Sequence, residues 1–273
     1  TTNPFVMGSS KIPLETSSQK ATHHNSGLKK RAARALERQL TYQESKADFV
    51  RAHEVEVIAS MQRASKRVRD VIEPFHPITD DTRVIEVGSG STGLIFFFGA
   101  KRGIGLDPLC VSCAGLFPRW QRNVPTVAAL GECLPFRDRS FDVVICDNVV
   151  DHAESPATIA RELIRILVPG GVLYFTVNVH HPMYAVAAGA HSTWNAVGVP
   201  LEIGPFADHT VHLTPSAAKE LFEDLPITVL KERCGIAAAK ERAQKLPARH
   251  IGDRLKRVFY KNAVFELVAQ KKD

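Results

Sequence analysis

A glycine-rich stretch at residues 83–109 constrains the fold of this chain more than any other part of the sequence. Residues 83–87 form a short β-branched run that predicts a buried strand. The glycines that follow allow the backbone to turn sharply and to approach a ligand closely; they are Gly88, Gly90 and Gly93. A second strand is predicted at residues 104–106, directly before Asp107. Strand, glycine loop, helix, strand and terminal acid together predict half of a nucleotide-binding βαβ unit.

The charge of Glu86 indicates which of two kinds of nucleotide ligand the glycine loop suits. The glycine spacing also fits the fingerprint of dinucleotide-binding proteins, and a turn that binds nothing could have the same residues. Glu86 lies two residues before the first glycine, at the carboxyl end of the predicted strand. A carboxylate there repels a pyrophosphate but attracts an ammonium group. S-adenosylmethionine has no phosphate and carries an α-amino group, so Glu86 favours it over a dinucleotide.

The distribution of charge argues against a nucleic-acid substrate. The chain of 273 residues has a formal net charge of +6, with 44% hydrophobic and 23% charged residues, which is ordinary for a globular protein. The basic excess lies in residues 1–80 and 231–273, whereas residues 81–230 are net acidic. Enzymes that act on nucleic acids usually surround their site with positive potential. We therefore expect a small-molecule substrate. An enzyme that acts on RNA and binds it with the basic flanks is the alternative.

Composition also predicts a cytoplasmic protein without membrane insertion. No apolar run approaches the ~20 residues of a membrane-spanning helix, and residues 1–27 lack the apolar core of a signal peptide. The five cysteines are predicted to be reduced and mostly buried. Cys110 and Cys113 have the spacing of a redox or metal motif. Because no second pair accompanies them, packing on one helical face is the favoured interpretation.

The chain divides into three predicted segments. Residues 1–27 are polar and predict a flexible N-terminal arm, and residues 28–78 predict a helical cap, in which Ser45 would cap the second helix. Residues 79–273 alternate strands with helices, as in a mostly parallel, doubly wound sheet. A histidine-rich insertion at residues 178–213 follows the fifth predicted strand on the expected substrate side.

Four blocks of the sequence resemble class I S-adenosylmethionine-dependent methyltransferases. They are VIEVGSGSTG (84–93), GLDP (105–108), LPFRDRSFDVVICDNVVDH (134–152) and ELIRILVPGGVLYFTV (162–177). The arrangement is most similar to the small-molecule branch related to ubiquinone and menaquinone methyltransferases. The resemblance implies an α/β fold with a doubly wound, mostly parallel seven-stranded sheet, the Rossmann-like methyltransferase fold, here with an N-terminal helical cap. It also implies S-adenosylmethionine as the cofactor.

The same resemblance implies which residues bind the cofactor. Asp107 would bind both ribose hydroxyls, and Leu130 stands where many relatives have an acid that bonds the adenine amino group. The third glycine of the family pattern is displaced, with Thr92 in its usual place and Gly93 one residue later. The implied residues at the methionine end of the cofactor are Glu86, Gly88, Ser89 and Gly90, and those at the ribose are Asp107 and Pro108. Gly131 and Glu132 are implied at the adenine, and Asp147 and Asn148 at the sulfonium.

Methyl transfer requires alignment more than activation by the protein, because the cofactor carries the reactive sulfonium. The signature of nucleic-acid and protein amide N-methyltransferases, Asn or Asp followed by Pro-Pro and an aromatic residue, is absent after the fourth predicted strand. The residues there are Asp147-Asn148-Val149-Val150. We therefore expect O- or N-methylation of a small molecule. The glycine loop is also compatible with an NAD-dependent oxidoreductase and with a binding module that has no catalytic activity.

Two histidines at the start of the insertion are candidates for a catalytic base. His180 and His181 leave the fifth strand at its carboxyl end, where open α/β sheets bind ligands. A histidine can take a proton from an acceptor near neutral pH, and we favour His181 because Pro182 restricts it to extended geometry. Histidines that pin the loop are an equal alternative. No metal is predicted, because no regular ligand spacing links the candidate ligands His180, His181, His191, Asp208 and His209.

Overall fold

The computed structural model describes residues 30–183, 211–245 and 259–273, with side chains from residue 37 onward except those of residues 38 and 118. The predicted N-terminal arm and most of the predicted insertion, including His191, Asp208 and His209, lie outside the described residues. The insertion can therefore be compared with its prediction only at its two ends.

A seven-stranded sheet forms the centre of the described residues. Its strands are β1 (Arg83–Val87), β2 (Arg102–Leu106), β3 (Thr126–Val127), β4 (Phe141–Asp147), β5 (Leu167–Val179), β6 (Ile227–Cys234) and β7 (Ala263–Lys271). Their spatial order is β3-β2-β1-β4-β5-β7-β6. Strands β1 to β5 pair in parallel, and β7 runs antiparallel between β5 and β6. The predicted doubly wound, mostly parallel sheet is confirmed.

Helices cover this sheet within the described part of the chain. They are α1 (Lys30–Ala52), α2 (Glu54–Ile72), α3 (Cys110–Cys113), α4 (Pro118–Gln121), α5 (Pro156–Ile166), α6 (Pro215–Glu220) and α7 (Ile236–Lys245), with short 3₁₀ helices at Leu94–Phe97 and Val150–His152. None of the helices in these residues is both long and apolar enough to cross a membrane.

Both faces of the sheet are buried, which explains why its central strands are apolar along almost their whole length. Side chains alternate across a strand, and β5 supplies two separate hydrophobic clusters in this way. Leu173 and Phe175 join the cluster that contains Leu163 of α5. Val172 and Tyr174 join the cluster that contains Val68 of α2. Helices α2 and α5 therefore pack on opposite faces of the sheet.

The crossover from β1 to β2 differs from the prediction, because a full helix does not follow the glycine loop. The chain forms only the short 3₁₀ helix Leu94–Phe97 there. Helix α2 covers this turn, and Ser65 Oγ donates a hydrogen bond to the Leu94 carbonyl at 2.8 Å. Val68 and Ile72 of α2 are fully buried in the same region. The cap thus occupies the sheet face that a longer crossover helix would cover.

The predicted helix start at Ser45 is wrong. Helix α1 continues through this residue, and Ser45 Oγ donates to the Tyr42 carbonyl at 2.8 Å instead of capping a helix. Ala47 and Val50 lie on the buried face of α1. Their burial outweighs the local preference of serine for a helix end, and the break between the two cap helices falls at His53.

Candidate active site

A cleft opens at the carboxyl edge of the sheet, where β1, β2 and β4 end. It encloses about 810 Å³ of empty space, counted to its open mouth and including solvent. Six of the predicted cofactor-binding residues line this cleft: Gly88, Asp107, Pro108, Gly131, Glu132 and Asn148. The other four lie beside them in the chain without forming part of the cleft wall: Glu86, Ser89, Gly90 and Asp147.

Two glycines of the loop are required for different reasons. Gly88 has a φ of +81°, and a Cβ at this position would lie 2.2 Å from Val149 Cγ2, so the loop packs directly on the segment after β4. A Cβ at Gly93 would lie 2.5 Å from Glu86 Oε2. The glycine that stands one residue late in the family pattern therefore makes room for the Glu86 carboxylate.

The Glu86 carboxylate organises the turn that follows the loop. Its side chain is buried, and its two oxygens accept hydrogen bonds from the N–H groups of Leu94 at 3.1 Å and Ile95 at 2.8 Å. Burial, against the lowering effect of the two hydrogen bonds and with a smaller contribution from the carboxylates of Asp147 and Asp107, raises the pKa of Glu86 to about 8. The predicted contact of Glu86 with the cofactor's amino group stays a prediction.

Asp107 is held at the cleft wall by backbone groups on both sides. Its Oδ2 accepts from Gly90 N–H at 3.0 Å, and its Oδ1 accepts from Leu109 N–H at 2.8 Å. Burial raises the pKa of this carboxyl group. Ser89 is buried beneath the loop, and its N–H donates to the Leu106 carbonyl at 3.0 Å. These bonds fix the glycine loop relative to the end of β2, with Asp107 in the cleft wall.

Part of the cleft wall is apolar and is called here the apolar slot. Leu130 and Ile159 line it, and a Cβ at Gly131 would lie 3.0 Å from Ile159 Cδ1. Glu132 also lines the cleft, and its Oε1 accepts from Glu154 N–H at 3.0 Å, just before α5. The aliphatic side chains of this wall can pack against a flat ring. An acid in place of Leu130 is not required for that packing.

The end of β4 is tied to β5. Thr176 Oγ1 donates a hydrogen bond to the Asp147 carboxylate. Asn148 adopts a left-handed backbone conformation with a φ of +58°, which asparagine tolerates better than most residues. Its N–H donates to the Thr176 carbonyl at 3.0 Å, and its Oδ1 accepts from Asn178 N–H at 3.1 Å. Asn148 therefore lines the cleft in a fixed orientation.

The two predicted catalytic histidines lie at the end of β5 without lining the cleft. His180 is fully buried, its N–H donates to the Leu213 carbonyl at 2.8 Å, and its ring lies 5.1 Å from that of His212. The His181 N–H donates to the Tyr260 carbonyl at 3.1 Å, and its ring packs 5.4 Å from the Tyr260 ring. These contacts match a loop-pinning role, and a catalytic role for either residue stays a prediction.

Metal ligands do not converge in the part of the chain that the structure describes, where no group of three or more His, Cys, Asp or Glu side chains is suited to hold an ion. Cys110 and Cys113 are both buried with free thiols, as the packing interpretation requires. Burial raises the pKa of Cys113 to about 11, which opposes formation of a metal-binding thiolate. Cys146 is also buried, whereas Cys133 and Cys234 are exposed.

Sequence reasoning missed two glutamines of the cap. Gln39 lines the cleft, and one turn later Gln43 Oε1 accepts a hydrogen bond from Ser91 Oγ in the glycine loop at 2.6 Å. Ala47 and Val50 continue the same face of α1 as buried side chains. The sequence therefore does indicate this helix face, because Gln39, Gln43, Ala47 and Val50 recur at helical spacing, with the polar residues before the apolar ones.

Sequence reasoning also missed His152, which lines the cleft beside Asn148 and Val149. This histidine is the last residue of the third block that resembles methyltransferases. The sequence does indicate that His152 lies just beyond the carboxyl end of β4, in the 3₁₀ helix Val150–His152. It does not indicate which side chain of this short helix lines the cleft, because that depends on the geometry of the turn.

The comparisons with known proteins agree with this geometry. Residues 85–175 match the family model described as a methyltransferase domain. An uncharacterized methyltransferase of Mycobacterium sp. (strain JLS) is 30% identical over 135 residues, covering 48% of this chain and 44% of the relative. A thiol S-methyltransferase of Rattus norvegicus is 26% identical over 157 residues, covering 50% of this chain and 61% of the relative. The chain thus matches less than two thirds of the length of these relatives.

A solved structure shows the same fold at low sequence identity. The geranyl diphosphate C-methyltransferase from Streptomyces coelicolor A3(2) has a TM-score of 0.55 and 14% identity, covering 80% of this chain and 82% of that structure. The architecture of this chain is therefore the Rossmann-like methyltransferase fold. The family match covers the strands that form the cleft, from β1 to the greater part of β5.

Proposed function

We propose that this chain is an S-adenosylmethionine-dependent methyltransferase with a small-molecule acceptor. One observation carries the proposal. The residues that match the methyltransferase-domain model, 85–175, include the glycine loop, Asp107 and the apolar slot, and all three face the same cleft. The cofactor supplies an activated methyl group on a sulfonium, and the task of the protein is to hold that group in line with the acceptor.

The residues of the cleft fit this cofactor. Each Asp107 oxygen accepts one backbone N–H and keeps lone pairs for the two hydroxyls of a ribose. The slot between Leu130 and Ile159 suits an adenine ring, with Gly131 and Glu132 at its edge. Asn148 lies near the sulfonium in this arrangement. Glu86 is placed behind the loop, where a bound ammonium group would favour its charged form.

The proposal is more specific about the molecule that accepts the methyl group. A sequence relative is named a thiol S-methyltransferase, and a solved structure of the same fold is a geranyl diphosphate C-methyltransferase; both names specify small-molecule acceptors. The net acidic middle of the sequence supports a small acceptor over RNA. O- or N-methylation, a relation to the ubiquinone and menaquinone branch, action in the cytoplasm and a base at His181 or His180 are proposed on the sequence pattern alone.

Binding of S-adenosylhomocysteine, the cofactor product, tests the proposal. It should raise the melting temperature, whereas NAD should not. Asp107→Ala should weaken calorimetric binding about ten- to hundredfold, because a charge-assisted contact contributes ~1.5–3 kcal/mol. The matched control is Asp142→Ala, which removes a carboxylate bound to Arg83 at 2.6 Å at the opposite edge of the sheet. It should leave the affinity unchanged. Stabilisation by NAD alone would support an oxidoreductase instead.

A further inference from the structure

The short 3₁₀ helix after β4 separates two neighbouring side chains. His152 N–H donates to the Val149 carbonyl at 3.0 Å, and Ala153 N–H donates to the Val150 carbonyl at 3.2 Å. This tight turn places the Asp151 side chain in the interior with no exposure and leaves the His152 side chain 34% exposed at the cleft. An acid and a histidine from one turn therefore face the interior and the ligand side, respectively.

The buried acid lies close to the imidazole. Asp151 Oδ1 is 3.8 Å from His152 Nε2, so the carboxylate and the imidazole are direct neighbours. The backbone of Asp151 is also tied to the far end of the insertion, because Val211 N–H donates to its carbonyl at 2.9 Å. The pair thus sits between the cleft and the chain segment that returns from the insertion.

His152 differs from the histidines at the end of β5 in what it faces. It shares the cleft wall with Asn148 and Val149, next to the proposed position of the sulfonium, and with Gln39 of α1. His180 and His181 contact Leu213 and Tyr260 instead. Among these three histidines, His152 alone is part of the wall of the proposed cofactor site.

We propose that His152 is the catalytic base for an acceptor with an O–H or S–H group, and that Asp151 is its positioning residue. The inference rests on the proposed function. As the acceptor oxygen or sulfur forms its bond to the methyl carbon, the bond from that carbon to the cofactor sulfur breaks and its electron pair stays on the sulfur. The acceptor proton passes to the imidazole. The products are a neutral thioether, the methylated acceptor and an imidazolium, which then releases its proton to solvent.

Paired binding measurements test where His152 lies without requiring the true acceptor. S-adenosylmethionine carries a sulfonium and S-adenosylhomocysteine a neutral sulfur, so the ratio of their Kd values isolates the charge at the methyl site. An imidazole gains its charge between pH 8 and 5. Repulsion between the two cations should raise that ratio in the wild type about threefold or more as the pH falls from 8.5 to 5.5.

The variants separate His152 from the other charges around it. Among the described residues, the charged groups that line the cleft with it are Asp107, Glu132 and Glu154, and Asp151 adjoins it in its own turn. His152→Gln keeps all of these and should make the ratio independent of pH. Asp151→Asn keeps the imidazole and should keep a pH-dependent ratio, but it should lower turnover with an acceptor that needs a base. His76→Gln, a control before β1 at the opposite end of the sheet, should behave as the wild type.

A turnover measurement tests the base itself. Dithiothreitol needs a base to ionise at neutral pH, whereas thiophenol, a stronger acid, is largely ionised there. His152→Gln should lose tenfold or more of the methyl transfer to dithiothreitol at pH 7 and recover toward pH 9, while transfer to thiophenol changes little. Catechol serves as the O–H probe.

Four results would overturn the inference. They are a pH-dependent Kd ratio that persists in His152→Gln, a ratio that becomes flat only in His181→Gln, an equal loss with both thiols, and the absence of transfer to any of the three probes. If neither S-adenosylmethionine nor S-adenosylhomocysteine binds the wild type, the proposed function itself fails, and the inference fails with it.

Discussion

Two parts of the carboxyl edge of the sheet are held together in different ways. The first, proposed to bind the cofactor and called the cofactor side, is the glycine loop with the ends of β1 and β2. The second, called the histidine side, is the end of β5 with His180 and His181. On the cofactor side, carboxylates are bound by backbone N–H groups from nearby in the chain, as when Glu86 accepts from Leu94 and Ile95. On the histidine side, His181 at the end of β5 is held by the Tyr260 carbonyl, which lies much later in the chain, just before β7. The first side is assembled locally, and the second depends on the completed sheet.

This difference has a mechanical consequence. Backbone donors belong to every residue, so the cofactor side depends on the path of the glycine loop more than on any single side-chain partner. The histidine side depends on the pairing of β5 with β7, which brings residues 260–263 beside the end of β5. Changes to the loop path should therefore have larger effects than changes to individual contacts around the cleft.

The largest effect is expected for Gly88→Ala. The added Cβ would lie 2.2 Å from Val149 Cγ2 at a φ of +81°, so strain and overpacking together should reduce the free energy of unfolding by about 2–4 kcal/mol. Gly170→Ala is the matched control, because its φ is +75° with nothing within 4 Å of the added Cβ, and it should cost only about 1 kcal/mol. Urea unfolding measures both. Equal losses would show that the loop does not depend on its contact with the segment after β4.

An intermediate effect is expected for the pH dependence that Glu86 creates. Its pKa rises from 4.5 to about 8 on folding, so its neutral form stabilises the folded state fully below pH 4.5. This contribution is lost as the pH rises toward 8. The wild-type free energy of unfolding should therefore decline between pH 5 and 8, and Glu86→Gln should reduce the decline by about 1–2 kcal/mol.

The control for Glu86 is Glu73→Gln, which removes an exposed carboxylate paired with Arg69 at 2.8 Å. It should keep the decline of the wild type. A decline of the same size in Glu86→Gln would assign the pH dependence to other groups. The local organisation of the cofactor side by this carboxylate would then need another explanation.

The smallest effect is expected for the cap. Gln43 Oε1 accepts from Ser91 Oγ at 2.6 Å, so S-adenosylhomocysteine should slow hydrogen exchange in the second half of α1. Gln43→Ala should weaken its binding about threefold, because it removes one hydrogen bond between the cap and the loop. Gln62→Ala, at an exposed position of α2, is the control. Protection of α1 that is identical with and without ligand would show that the cap is only structural.

Residues that follow the ends of parallel strands could be placed from the sequence alone. Asp107 and Asn148 follow β2 and β4, and the parallel pairing of these strands with β1 puts their carboxyl ends at one edge. The apolar runs that predict the strands are dictated by burial on both faces. Strand lengths were harder to predict: β5 begins at Leu167, directly after α5, because Leu167 pairs with Phe141 of β4, a partner that is distant in the sequence.

The sequence by itself determined the alternation of strands and helices, the glycine loop and the acids at its two ends, because spacing and residue type act within a few residues of the chain. Only the tertiary structure decided that Glu86 turns behind the loop, that α1 brings Gln39 and Gln43 to the cleft, and that His152 lines the cleft while His181 packs on Tyr260. These outcomes depend on which distant segments share a buried surface. That choice is made by the packing of the whole sheet and its cap, and it leaves no local pattern in the sequence.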